Sequence, residues 1–444
     1  MSSIEPLSPA TSTRELLRVA PVRNLLGSSL SISSAVLLQV TILGKQIYDI
    51  TGRELDIGLL GLAEFLPAVL LVLVTGSVAD RFDRRMIAAV TTALDMVCVI
   101  ALGMLSLFDS KSVWPLFLIA FVFGSARAFS GPATRSLPPM VAPRGALPRT
   151  IALYGATWTS AAIVGPALGG LLYSIEPALA YFLAAGLFAV GIVQLLAIRF
   201  ETPDDEGREA GSEGSPERPT ISEKISLHSA LEGLRFIRRT PILLAAISLD
   251  LFAVLFGGAV ALLPVIAEER LGVGDIGYGW LRAAPGIGAA IMALVLASRP
   301  VTRRVGPKLF TVVAIFGVAT VVLGVTTSYI VAFVSLVILA ASDMISVFIR
   351  STLVPLVTPD DKRGRVLAVE SVFIGASNEL GAFESGVAAQ AFGTQTAVIG
   401  GGVATIGIVA VYSVFFPSLR QVNRFEELDP SAAVRGTEGS GRTS

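Results

Sequence analysis

The sequence predicts an all-α integral membrane protein of twelve transmembrane helices in two pseudo-symmetric six-helix halves. Three observations lead there. Hydrophobic residues fill 53% of the 444 positions, charged ones fill 15%, and the mean hydropathy of +0.73 is too high for a water-soluble domain of this size. Apolar runs of about 20 residues recur along the chain, and at about 1.5 Å per residue each crosses a hydrocarbon core of roughly 30 Å. Short matching segments also recur at one fixed offset on either side of a polar linker.

The runs fall at 23–47, 56–76, 86–107, 113–134, 149–173, 177–198, 241–266, 276–298, 309–326, 328–354, 366–390 and 396–416. Helices are the expected form, because they satisfy their own backbone polar groups in lipid. The start, with Ser2, Ser3 and Glu5 followed by more Ser and Thr, lacks the charged-then-apolar pattern of a signal peptide, so span 1 is expected to be retained. Between spans 6 and 7 the stretch from Glu201 to Glu217 is acidic and rich in Gly, Ser and Pro, a linker composition. Leu227, Leu231, Leu234 and Ile237 then mark an amphipathic surface helix. The expected divisions are a tail at 1–22, a half at 23–198, the linker at 199–240, a half at 241–416 and a disordered tail at 417–444.

The matching segments join the halves. Pro139–Pro143 and Pro355–Pro359 lie 216 residues apart, and at the same offset Arg149 meets Arg365, Gly165 meets Gly381 and Gly170 meets Gly386. Basic residues orient the whole. Arg14, Arg18 and Arg23, then Arg81, Arg84 and Arg85, then Arg144 and Arg149 lie in one set of loops, joined by those of the 199–240 stretch, Arg299 to Lys308, Lys362 to Arg365, and Arg420 with Arg424. The other set holds little beyond Arg53, Lys111 and Arg270. Both termini and the linker are therefore expected in the cytoplasm.

Composition also excludes functions. One cysteine, Cys98, and one histidine, His228, rule out a disulfide framework and a Cys/His zinc site. There is no basic tract for nucleic acid, and no nucleophile–base pair, metal cluster or phosphate loop for an enzyme. No cofactor is expected.

Charges inside spans are costly and mark pathways or paired sites. Glu64, Arg127 and Asp250 stand deepest in apolar background, whereas Lys45, Arg350 and Glu370 are placed near helix ends, where they are expected to snorkel. Asp343 stands at the offset equivalent of Arg127, and two readings remain open: a cavity pair, or two independent packing ion pairs. Glu379 and Glu384 are five positions apart, about 140° around a helix, so they do not share a face. Gly155, Gly165, Pro166, Gly169 and Gly170 in span 5 are expected to let helices approach closely.

Several segments resemble a known group. Gly76-Ser77-Val78-Ala79-Asp80-Arg81-Phe82-Asp83-Arg84-Arg85 resembles the cytoplasmic signature of the major facilitator superfamily, with Asp83 in place of the usual glycine. The cognate Arg303-Arg304-Val305-Gly306-Pro307-Lys308 keeps the glycine and has arginine where Asp80 stands. Arg127-Ala128-Phe129-Ser130-Gly131 is similar to the span 4 signature of a proton-coupling arginine, and Gly155 with Gly165-Pro166-Ala167-Leu168-Gly169-Gly170 to the span 5 antiporter signature. Over about residues 20–420 the chain most resembles the branch holding the enterobactin exporter and related transmembrane secretion effectors.

The resemblance implies the major facilitator fold, and an exporter of a small amphipathic organic molecule, siderophore-like or drug-like, working by proton antiport in a bacterial inner membrane. Glu64, Arg127, Asp250, Asp343, Glu379 and Glu384 are the candidates for coupling or the cavity, with Asp250 and Glu64 first as proton carriers. An inward gate is expected from Asp80, Arg81, Arg84, Arg85 and Arg135, with Asp80 capping a helix or pairing with Arg135. The expected partners are the organic solute, protons and membrane lipid, with the chain a monomer. Alternatives are a lysophospholipid flippase or importer of the same fold, and a non-transporting sensor or assembly protein.

Overall fold

The computed structural model describes residues 12–143, 145–198 and 227–428, with the side chains at 72–74, 76–77, 79–81 and 227–230 excepted. The long helices are α1 (Ala20–Thr51), α2 (Glu54–Arg81), α3 (Arg84–Leu107), α4 (Trp114–Arg135), α5 (Leu147–Tyr173) and α6 (Pro177–Leu196). After the linker come α7 (Pro241–Arg270), α8 (Asp275–Ser298), α9 (Val305–Val325), α10 (Tyr329–Val357), α11 (Asp360–Phe392) and α12 (Thr394–Phe415). Among the described residues, eleven of these are long and apolar enough to cross a membrane, and α2 is 28 residues long. The chain is thus an all-α polytopic membrane protein.

Local chemistry sets the helix ends. The segment read as a charged loop at 76–85 is mostly helix: α2 runs through Arg81, and only Phe82 and Asp83 separate it from α3. Asp83 caps α3, its carboxylate accepting from Arg85 N–H at 2.8 Å, which gives the aspartate a purpose where glycine is usual. Helix α7 is continuous only to Phe256. At Gly257 and Gly258 it turns into a 3₁₀ segment, and it ends in a π-helical stretch at Ile266–Arg270.

The offset-216 glycines occupy matching contacts. A Cβ on Gly165 of α5 would stand 2.8 Å from the Ser34 carbonyl of α1, and one on Gly381 of α11 would stand 2.8 Å from the Val254 carbonyl of α7. Gly170 likewise meets Asp275 and Gly279 of α8, while Gly386 meets Glu54 and Gly58 of α2. The α5–α8 and α11–α2 seams are therefore built alike, each by backbones touching at glycine. Gly169 rests on Ile42 and Leu38, and Pro166 is buried with its carbonyl against Gly279. Gly155 differs from that expectation: it is exposed and faces open space, so it packs nothing.

The expected surface helix spans Leu227–Arg239. It is strapped to the start of α11 by a 2.6 Å Glu232–Arg365 ion pair, by Lys362 over the Phe236 ring, and by Gly233 against the Arg365 backbone.

Candidate functional site

Among the described residues, two ion pairs with buried carboxylates and one charged latch stand in the polar interior. The first pair joins neighbouring helices α2 and α4. Gly124 of α4 lies against the backbone of Glu64, where any side chain would collide, and this contact brings Arg127, one turn along, to 3.5 Å from the Glu64 carboxylate. Glu64 is buried, whereas the Arg127 side chain is 40% exposed and also lies over the Phe123 ring. Glu379 of α11 approaches from the other side of the molecule. Its Oε2 stands 3.4 Å from where a Cβ on Gly61 would be, one turn before Glu64. Glu384 is half-buried and lies outside that contact.

The second pair is Asp250 of α7 with Arg350 of α10, at 2.7 Å. Both are buried, and Arg350 Nε also donates to Ser346 Oγ at 3.4 Å. Asp250, Asp343, Ser342 and Ser346 line a cavity of about 10 Å³. That is the lower limit for one water molecule. Arg350 does not snorkel as expected; Asp250 holds it inward, because a buried charge needs its partner. Glu370, also expected to snorkel, is buried. Arg127 and Asp343, equivalent by offset, are not partners: Arg127 pairs with Glu64, and Asp343 shares the cavity beside Asp250.

The latch was not foreseen from sequence. Lys45 of α1, expected to snorkel, is buried and bonded to Asp49, with Glu268 of α7 at 3.0 Å and Asp275 of α8 at 3.6 Å. Tyr173 donates to Asp49 at 2.7 Å and Tyr48 to Glu269 at 2.5 Å. Tyr278 donates to the Thr41 carbonyl at 2.8 Å and Thr394 to Glu54 at 3.4 Å. All the cross-contacts in this group join α1–α6 to α7–α12 at the ends bearing the short turns, away from the linker. The signal in the sequence was charge complementarity: Lys45 with Asp49 one turn on, opposite Glu268, Glu269 and Asp275 around a single turn.

At the linker end stand the residues expected to form a gate. Arg85 donates to the Ile198 carbonyl at 2.5 Å, Arg84 lies 4.0 Å from the Met140 sulfur, and Arg135 is exposed in the last turn of α4. The side chains of Asp80 and Arg81 lie outside the described residues.

With this geometry, a family model described as transmembrane secretion effector matches residues 23–437. The chain belongs to the transmembrane secretion effector family, within the major facilitator superfamily. It is similar to the multidrug efflux pump Tap of Mycolicibacterium fortuitum, 26% identical over 390 residues, covering 84% of this chain and 90% of Tap. A shorter similarity, 24% over 149 residues, links it to macrolide efflux protein A of Streptococcus pyogenes, covering 34% of this chain and 36% of that one. Its fold is that of the bacterial homologue of the human lysosomal transporter Spinster, with a TM-score of 0.66 at 16% identity, over 92% of this chain and 98% of the other. As a transmembrane secretion effector the protein is a membrane transporter and not an enzyme.

Proposed function

We propose that the chain is a secondary active exporter of a small amphipathic organic molecule, drug-like or siderophore-like, driven by proton antiport in a bacterial inner membrane. Twelve spans in two six-helix halves, 23–198 and 241–416, rock about a central cavity, with both termini and the linker cytoplasmic. The observation that carries this reading is the distribution of polar contacts: the latch around Lys45 joins α1 to α7 and α8 at one end, while the Glu64–Arg127 pair lies mid-helix beside Glu379 of the opposite half. A carboxylate deep in a span, paired with an arginine that solvent reaches, is a group that proton and solute can compete for. Glu64 and Asp250 are the proposed proton carriers, with Asp343, Glu379 and Glu384 around the pathway. Asp80, Arg81, Arg84, Arg85 and Arg135 form the proposed gate at the linker end. Efflux by Tap and by macrolide efflux protein A supports the outward direction and a drug-like cargo. The exporter acts as a monomer in contact with membrane lipid.

The test is purified protein in liposomes under an imposed pH gradient, scanned against antibiotics, siderophores and lysolipids. Gradient-dependent movement of an antibiotic or siderophore, lost in Glu64→Gln, supports the reading. Movement of lysolipid alone replaces it with a flippase, and uptake along the gradient with an importer. Full coupled export by Asp250→Asn removes Asp250 as an essential carrier.

A further inference from the structure

The surface helix Leu227–Arg239 has two unlike faces. One is committed to the protein. Gly233 lies against the Arg365 backbone, Ile237 is 1% exposed within the apolar core of α7–α12, and Leu234 and Phe236 pack beside it.

The register defines the other face. With Leu231 as reference, Arg238 falls about 20° to one side, Arg235 about 40° and Arg239 about 80° to the other, while Gly233 and Ile237 fall about 160° and 120° away. Burial agrees: Leu231, Arg235, Arg238 and Arg239 are all exposed, Leu231 at 58%. Among the described residues, none of these arginines has an ion pair, because the acids of the strap are taken elsewhere. Glu232 pairs with Arg365 and Asp360 with Arg363, both at 2.6 Å. Asp361 at the start of α11 is the exposed exception, beside Lys362, which lies over the Phe236 ring.

The chain itself sets the height of this face. Thr240 alone separates Arg239 from α7, whose first turn carries Ile242, Leu243 and Leu244. The arginines therefore stand where α7 leaves the hydrocarbon, at the depth of lipid headgroups. An arginine there keeps its guanidinium among phosphates and lays its stem against apolar surface. A leucine flanked by cations suits a molecule that is anionic at its head and apolar behind it. The acidic stretch Glu201–Glu217 matches the charge but offers no large apolar residue to cover Leu231.

We propose that this face binds anionic phospholipid of the cytoplasmic leaflet, with Arg235, Arg238 and Arg239 on headgroup phosphates and Leu231 entering the acyl region. The lipid then holds the surface helix, and through its strap the start of α11, at the membrane surface. Only the naming of the leaflet rests on the cytoplasmic placement of the linker proposed above. The test has no transport step, so it succeeds or fails apart from the exporter reading.

It uses the full chain in nanodiscs, with Leu231→Cys carrying an environment-sensitive fluorophore in a Cys98→Ala background. Phosphatidylglycerol brominated on its acyl chains is expected to quench the fluorophore, and brominated phosphatidylcholine at the same fraction to quench it much less. Each of Arg235→Gln, Arg238→Gln and Arg239→Gln is expected to reduce that preference about fivefold, and the triple variant to abolish it. The three side chains are exposed, so the melting temperature in detergent is expected to stay unchanged. Lysine at the three positions keeps the charge that orients the chain and is expected to keep the preference; its loss there would overturn a site built on charge. Equal quenching by the two brominated lipids, or a preference that survives the triple glutamine substitution, also overturns the proposal. So does a preference that appears only once residues 201–217 are deleted, which would give the face to the linker.

Discussion

Asp250 and Arg350 show how far single residues can be read. Asp250 was legible because it interrupts an apolar run, and a charge there needs a reason. Arg350 was not, because it stands 100 positions away and close to a span end, where a cation ordinarily reaches water. Only the packing of α7 on α10 brings the two to 2.7 Å. Breaking a buried pair strands the remaining charge, at a cost of roughly 3–5 kcal/mol. Arg350→Met is therefore expected to lower the melting temperature in detergent sharply, and Asp250→Asn in the same chain to recover most of the loss. A double-mutant cycle measures this; additive losses would show the two residues to be energetically independent. The equivalence of Arg127 and Asp343 was legible in the offset, but not its meaning, because offset does not say which way a side chain faces.

Among the elements, α5 and α11 carry the clearest sequence signal, and it proved uneven. Gly165 and Gly170 sit where backbones touch, whereas Gly155, on the same helix and in the same motif, is exposed. Spacing marks small residues but not the side of the helix that meets a neighbour. Gly170→Val and Gly386→Val, at equivalent seams, are each expected to weaken closure of the latch end by roughly 1–3 kcal/mol, the usual cost of overpacking. Cysteine cross-linking between α5 and α8, or between α11 and α2, reads this as a lower yield. Gly155→Ala is expected to leave cross-linking unchanged and to stabilise the helix by roughly 0.5–1 kcal/mol, since alanine holds a helix better than glycine. A Gly155→Ala variant that loses cross-linking would contradict the exposed placement.

At the scale of the whole molecule, the latch around Lys45 holds α1 to α7 and α8. Glu268 is 53% exposed, so the contribution of the latch is discounted for solvent and weakens at high salt. Lys45→Met is expected to favour opening by about 1–2 kcal/mol, a factor of 5–30 in the open population. The rate at which a thiol reagent labels a cysteine placed beneath the latch measures this, and an unchanged rate would show that glycine packing alone keeps the end closed. By itself the sequence determined that the chain is helical, that it belongs in a membrane, about where its spans lie, and which glycines recur at one offset. Each of these follows from local hydrophobicity against a bilayer of fixed thickness, or from a repeat along the chain. The tertiary structure decided which charges meet: Lys45 with Glu268 and Asp275, Asp250 with Arg350, Arg127 with Glu64. Pairing depends on the rotation and height of each helix against its neighbours, and those are set by contacts between residues far apart in the chain.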